Sequence, residues 1–98
     1  MINNENYKGT VYREGILRYN TQSGRYALWG ENLFTGYPIL LNPGFHCGDP
    51  MQVMLKNGKW FATRIEMRQD GSWYLCDVNC PKSLNNIKVR VVMKYIIT

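Results

Sequence analysis

Between Met51 and Asp77 the chain writes three strand-like runs separated by two glycine turns, and no long amphipathic helical stretch competes with them anywhere in the sequence. Met51-Gln-Val-Met-Leu-Lys56 runs into Asn57-Gly58, and Lys59-Trp-Phe-Ala-Thr-Arg-Ile-Glu-Met-Arg68 runs into Gln69-Asp-Gly-Ser72. Trp73-Tyr-Leu-Cys-Asp77 then follows. Asn57-Gly58 accepts the positive φ angles of a two-residue hairpin turn and Asp70-Gly71 supplies a second tight turn, so the segment reads as an antiparallel β-meander.

With 98 residues, 45% of them hydrophobic, the chain has room for one core. Residues 1–13 are read as a flexible arm, polar and Asn-rich over Met1 to Lys8 with only Ile2 and Tyr7 to pack, and residues 14–98 as a single β-barrel domain. Glu14 to Asn20 and Arg25 to Gly30 form a hairpin around Thr21-Gln-Ser-Gly24. From Glu31 to Pro50, glycines and prolines at Gly36, Pro38, Pro43, Gly44, Gly48 and Pro50 interrupt the pattern, and Ile39-Leu-Leu41 suits a short strand or a helical turn equally. Ile87 to Ile97 is a β-branched run, apolar on both sides in its last third, as in a strand covered on both faces. The expected fold is all-β: a small antiparallel meander closing into an SH3-like or related partly open barrel, which would also protect its strand edges.

Period-two alternation separates two faces on the strongest strands. Phe61, Thr63, Ile65 and Met67 oppose Trp60, Ala62, Arg64, Glu66 and Arg68, while Ile87, Val89, Val91, Met93 and Tyr95 oppose Lys88, Arg90, Val92 and Lys94. The apolar sets are expected in the core. If the other sets share one side, Lys56, Trp60, Arg64, Arg68, Lys88, Arg90 and Lys94 make a basic strip, with cations for phosphates and Trp60 as a platform for a base. The plainer account of the same pattern is a solvated, charge-decorated surface. Trp29, Trp73 and Tyr74 are expected to close the core or its mouth, and the pattern does not decide which of the neighbours Trp73 and Tyr74 faces inward.

The net charge of +5 and a pI near 9.3 favour acidic partners by long-range attraction. Met1 to Asn6 lacks the basic and apolar regions of a signal peptide, and no window approaches the roughly 18 apolar residues of a membrane span. Cys47, Cys76 and Cys80 are an odd number without any glycosylation sequon, which points to reduced thiols and a cytoplasmic location. Cys76-x-x-x-Cys80 with His46-Cys47 would complete a Cys₃His zinc set. Because the spacing is unusual and adjacent ligands fit awkwardly, free, partly buried thiols are the favoured reading. His46 lacks a third partner, neighbouring side chains on an extended chain point apart, and no carboxylate pair or glycine-rich phosphate loop is present. Neither enzymatic chemistry nor a cofactor is expected.

Gly15-Ile-Leu-Arg-Tyr-Asn20, Gly24-Arg-Tyr-Ala-Leu28, Gly48-Asp-Pro-Met-Gln-Val53, Gly58-Lys-Trp60, Thr63-Arg-Ile-Glu66, Trp73-Tyr-Leu75 and Val89-Arg-Val91 together resemble a family of small uncharacterised β-domains. That family occurs in Gram-positive bacteria of the clostridial and bacillus group and on their plasmids, phages and integrated elements. The resemblance covers Gly15 to Val92 and departs at the long Phe34 to Cys47 loop and at Cys80-Pro81. It implies a compact β-domain in a mobile-element setting and transfers no catalytic residue. The expected function is a non-enzymatic binding module whose basic outer face contacts nucleic acid or a complex that handles it, with no membrane partner. The alternative is a protein-interaction accessory of a phage or plasmid, for example an inhibitor of a host defence protein, without affinity for nucleic acid.

Overall fold

The structure, a computed structural model, describes residues 7–97; for Tyr7, Lys8 and residues 94–97 it describes the backbone course alone. Seven strands follow in order: β1 (Tyr7–Asn20), β2 (Arg25–Glu31), β3 (Pro38–Asn42), β4 (Pro50–Met54), β5 (Trp60–Met67), β6 (Trp73–Leu75) and β7 (Lys88–Ile97). All pairings are antiparallel, and the sheet order is β3-β2-β1-β7-β4-β5-β6. The fold is all-β, as expected.

Both glycine turns are present, and the one at Asn57-Gly58 differs in geometry from the two-residue turn expected there. Gly58 N–H donates to the Leu55 carbonyl and Leu55 N–H to the Lys59 carbonyl, each at 2.9 Å. Gly71 N–H donates to the Arg68 carbonyl at 2.9 Å and Arg68 N–H to that of Ser72 at 2.7 Å. These are three-residue loops in which one residue, Gly58 (φ 81°) or Gly71 (φ 88°), takes the left-handed position, whereas a type I′ turn needs two. The residue before each glycine completes the motif: the Asn57 side chain accepts from Lys59 N–H and that of Asp70 from Ser72 N–H, both at 2.9 Å. β6 stops where Asp77 turns left-handed, at φ 59°.

One face of the sheet carries the core. Leu17, Leu28, Ile65, Leu75 and Val89 are buried there with Met51, Val53 and Trp73, and two loop residues, Phe45 and Leu84, fill the hollow from outside the strands. The sheet rolls far enough for Trp73 Nε1, on edge strand β6, to donate to the Gly24 carbonyl in the β1–β2 turn at 2.9 Å. Tyr26 hydroxyl accepts from Leu84 N–H at 3.0 Å, and Tyr26 carbonyl from Phe45 N–H at 2.9 Å, so both plugging loops are tied to β2. The expected barrel does not close: β3 and β6 remain the two edges. The loops cover the core on the side where further strand pairing would have been needed.

The alternation-based faces hold where the strands are flanked on both sides. Thr63, Ile65 and Val89 are buried, whereas Met67 and Met93, placed in the core by the same pattern, are exposed. Trp29 also departs from expectation, lying on the outer face rather than in the core, and of Trp73 and Tyr74, between which the sequence did not choose, Trp73 is the one buried. β1 begins at Tyr7, so residues 7–13, expected in a flexible arm, are strand residues laddered to β7; residues 1–6 lie outside the described residues. Val92 and Met93 of β7 are 45% and 49% exposed; the last third of the strand, expected to be covered on both faces, has its side chains outside the described residues. β2 pairs with β1 from Ile16 onward and β4 pairs with β7 only at Val89 and Arg90, so beyond those points β1 and β7 continue as a two-stranded ribbon. The ribbon accounts for dimensions of 53 × 34 × 26 Å and a radius of gyration of 15.2 Å, against about 13 Å for a compact chain of this length.

Leu28→Ala should cost about 2 to 5 kcal/mol, the range for emptying a fully buried leucine site. Trp73→Phe should cost about 1 kcal/mol for the lost indole hydrogen bond, and exposed Lys59→Ala should be near neutral. Urea titration of the three variants checks the ranking.

Candidate nucleic-acid interface

The site grows out of the seam between β7 and β4. Gln52 of β4 stands opposite Arg90 of β7 on one side and Ala62 of β5 on the other, and Met54 stands opposite Trp60. Being in alternation with buried Met51, Val53 and Val89, all of these side chains face outward. Arg90 Nε donates to Gln52 Oε1 at 2.7 Å. Its guanidinium lies 3.7 Å from the Tyr12 ring centre and 4.4 Å from that of Trp60, held between two aromatic rings on β1 and β5. Each such contact contributes about 0.5 to 2 kcal/mol, and together they fix the plane of the cation. Among the described residues the Arg90 Nη groups have no hydrogen-bond partner, so the fork that binds phosphate or carboxylate in bidentate fashion remains available.

Two further features adjoin this cation. Lys88 Nζ stands 5.9 Å from the Trp60 ring centre and 3.8 Å from Glu14 Oε1. Because β4 pairs with β7 at only two positions, the strands part beyond Gln52 and leave a cleft of about 400 Å³ bordered by Tyr12, Pro50, Ala62, Arg90 and Val92. On the other side of Lys88 an open groove of about 1090 Å³ crosses β1, β2 and β3, with Ile16, Arg18, Trp29 and Leu40 in its lining. Lys88 borders the groove and Arg90 the cleft.

Of the seven residues expected in the strip, Trp60, Lys88 and Arg90 come together. Arg64 shares their face farther along β5, bound to Glu66 with Nε to Oε2 at 3.3 Å. Arg68 stands past the end of β5 with its guanidinium 4.4 Å from the Tyr74 ring centre, and Lys56 is exposed in the β4–β5 turn. The Lys94 side chain lies outside the described residues. Trp60 is not the bare platform expected: it is half-buried and its ring is engaged by Arg90. Tyr12, Glu14 and Gln52 were missing from the sequence-based strip. Gln52 carried a signal, a polar residue alternating between Met51 and Val53, while Tyr12 lay in the segment read as an arm.

The four potential metal ligands do not converge. His46 Nδ1 is 3.8 Å from Asp49 Oδ2, Cys47 Sγ donates to Glu66 Oε1 at 2.9 Å, and Cys80 packs against the core. The bond from Cys47, with help from Arg64, holds the Glu66 carboxyl below its ordinary range. The same carboxylate pushes the Cys47 thiol up and, with a smaller effect from Cys76, raises the Arg64 guanidinium. Asp70 is held low by the Ser72 hydroxyl and backbone N–H.

A family model for a domain of unknown function, DUF5348, matches residues 15–91. The chain belongs to the DUF5348 family. A crystal structure of a protein from Ruminococcus gnavus, Northeast Structural Genomics Consortium target UgR76, is 38% identical and superposes with a TM-score of 0.60. The match covers 81% of this chain and all of that one. No curated protein matches. The DUF5348 region includes Gln52, Trp60, Lys88 and Arg90 and starts after Tyr12 and Glu14, so the ring on the β1 side of Arg90 lies outside the matched segment. A clostridial-group source for the similar structure agrees with the resemblance read from the motifs.

A raised thiol pKa leaves less reactive thiolate near neutrality. Alkylation of Cys47 by iodoacetamide, followed by mass spectrometry across neutral to mildly alkaline pH, should therefore be faster in Glu66→Gln than in the wild type. The midpoint of its rate profile should also fall to lower pH.

Proposed function

We propose that this domain is a non-enzymatic binding module whose outer sheet face holds single-stranded nucleic acid, with Arg90 as the principal phosphate contact. The observation that carries this reading is the guanidinium fixed between Tyr12 and Trp60 beside Lys88. A cation whose plane is set before the ligand arrives loses little freedom on binding, and a phosphate fits the edge of its fork. The stacking role expected for Trp60 passes to Trp29. That ring is 36% exposed in the groove beyond Lys88, and the register Trp29 to Ile16 to Lys88 places it two strands away, about 10 Å. Alternating cations and rings along an open surface suit a strand read by its backbone and its base faces rather than by base edges. A bacterial cytoplasm, where Cys47, Cys76 and Cys80 stay reduced, is the setting this reading assumes.

Fluorescence anisotropy of labelled single- and double-stranded DNA and RNA, at about 50 and 200 mM salt, tests it. Single strands should bind with affinity that falls steeply with salt. Arg90→Ala should lose about tenfold or more, Arg90→Lys should recover only part of that loss, and Trp29→Ala should weaken binding while leaving the salt slope unchanged. Absence of binding to every probe at low salt would assign the face to a protein partner instead.

A further inference from the structure

Six of the ten large hydrophobic side chains exposed among the described residues belong to one hairpin, β2–β3: Trp29, Leu33, Phe34, Tyr37, Ile39 and Leu40. Leu33 and Phe34 at its tip are 92% and 99% exposed, as open as side chains become. The tip cannot turn them inward without breaking its own bonds. The Asn32 side chain accepts from Phe34 N–H at 2.9 Å and Thr35 N–H at 3.1 Å. The Asn32 carbonyl accepts from Gly36 N–H at 2.7 Å, and Asn32 N–H donates to the Tyr37 carbonyl at 2.8 Å. A loop closed so completely displays two apolar side chains instead of leaving them loose. An apolar display of this kind marks an interaction surface.

β3 adds an unpaired sheet edge to the display. It has β2 on one side and no strand on the other among the described residues. Natural edges are blunted by charge, yet no Lys, Arg, Asp or Glu occurs from Asn32 to Gly48. The opposite edge, β6, is only three residues long and has Arg68 over its Tyr74. β3 is longer, at five residues, and is blunted by Pro38 at its start and by Arg13 Nη1 on its Leu41 carbonyl at 3.3 Å, with no charged residue of its own.

We propose that the chain forms a twofold dimer in which β3 pairs antiparallel with β3 of a second copy, each Leu33–Phe34 tip packing past the Asn42 end of the other copy's β3. Charge selects this occupant. A chain of net charge +5 repels its own copies at most surfaces, and an acidic partner would be drawn to the cations of the other strands. The stretch from Asn32 to Gly48 has no Lys, Arg, Asp or Glu, so at β3 and the hairpin tip two like-charged copies meet with few charges at close range; one nearby cation is Arg13, whose Nη1 donates to the Leu41 carbonyl at 3.3 Å. Antiparallel pairing of one strand with itself is also self-complementary, as a twofold interface requires. With Pro38 opposite Asn42 of the second copy, Leu40 faces Leu40 across the twofold and the tip of each chain runs past the end of the other's β3, alongside Pro43. The two β3 strands would join two seven-stranded sheets into one, leaving Arg90 of each copy outside the interface.

Sedimentation equilibrium over roughly 1 to 500 µM tests the proposal, a range that captures micromolar dissociation constants. The apparent mass should rise with concentration from 11.5 kDa toward twice that value. The double variant Leu33→Asp, Phe34→Asp changes only exposed side chains, so it should stay monomeric with an unchanged melting temperature when dilute. Hydrogen exchange on the wild type should show amides of β3 slowing as concentration rises while those of β6 do not. A wild-type mass of one chain throughout overturns the proposal. So does a dimer that survives the double variant, or one whose added protection falls on β6 instead of β3.

Discussion

The ladder between β1 and β7 makes one molecule of two meanders. β1–β2–β3 and β4–β5–β6 are each built from neighbouring strands, and neither contains a pairing to the other. β7 lies between them, with nine partnered positions on β1 and two on β4. The second attachment is thin in backbone hydrogen bonds, so side chains reinforce it: Val89 and Val53 in the core, and the Trp73 indole reaching the β1–β2 turn. Arg90 stands at this narrow seam. Its bond to Gln52 and its stack against Trp60 tie β7 to β4 and β5, and its stack against Tyr12 ties β7 to β1. The side chain with the best geometry for an anion is therefore also a clamp on the joint of the sheet.

That double use explains why arginine suits the position. Two other cations on this face are partly answered by opposite charge, Arg64 by Glu66 and Lys88 by Glu14. Arg90 has two rings and an amide oxygen, which orient it without neutralising it. A lysine could carry the charge but not a flat surface for two rings and a separate donor for Gln52.

Local features carried most of what was legible in the sequence. Gly58 and Gly71 marked both turns, and the alternation of Thr63 and Ile65 against Trp60 and Arg64 gave the faces of β5 correctly. Misjudgements arose where a residue's position depends on segments far away in the chain. Met93 follows the alternation of Val89 and Val91, yet is exposed because β7 outruns its neighbours. Residues 7–13 look like a polar arm until β7 is laid beside them. A partly open barrel was expected from several short strands, glycine turns and a single core, and no local pattern announces that Phe45 and Leu84 would cover the core from loops. For the site, Trp60, Lys88 and Arg90 were identified as outward-facing, but their meeting depends on β4 lying between β5 and β7, and Tyr12 enters only through the β1 ladder.

The position of β7 in the sheet also sets an order of events during synthesis. The strand that joins the halves is made after all the others, and its main partner is made first. Until it emerges from the ribosome, β1 and β4 each have an open side, and the apolar residues meant for the shared core have only half of their neighbours. Bringing the first and last strands together closes a loop spanning nearly the whole chain, a contact pattern associated with slow folding and with exposure to aggregation beforehand. A nascent chain of this kind spends its vulnerable interval as two unfinished meanders, and the final strand ends it.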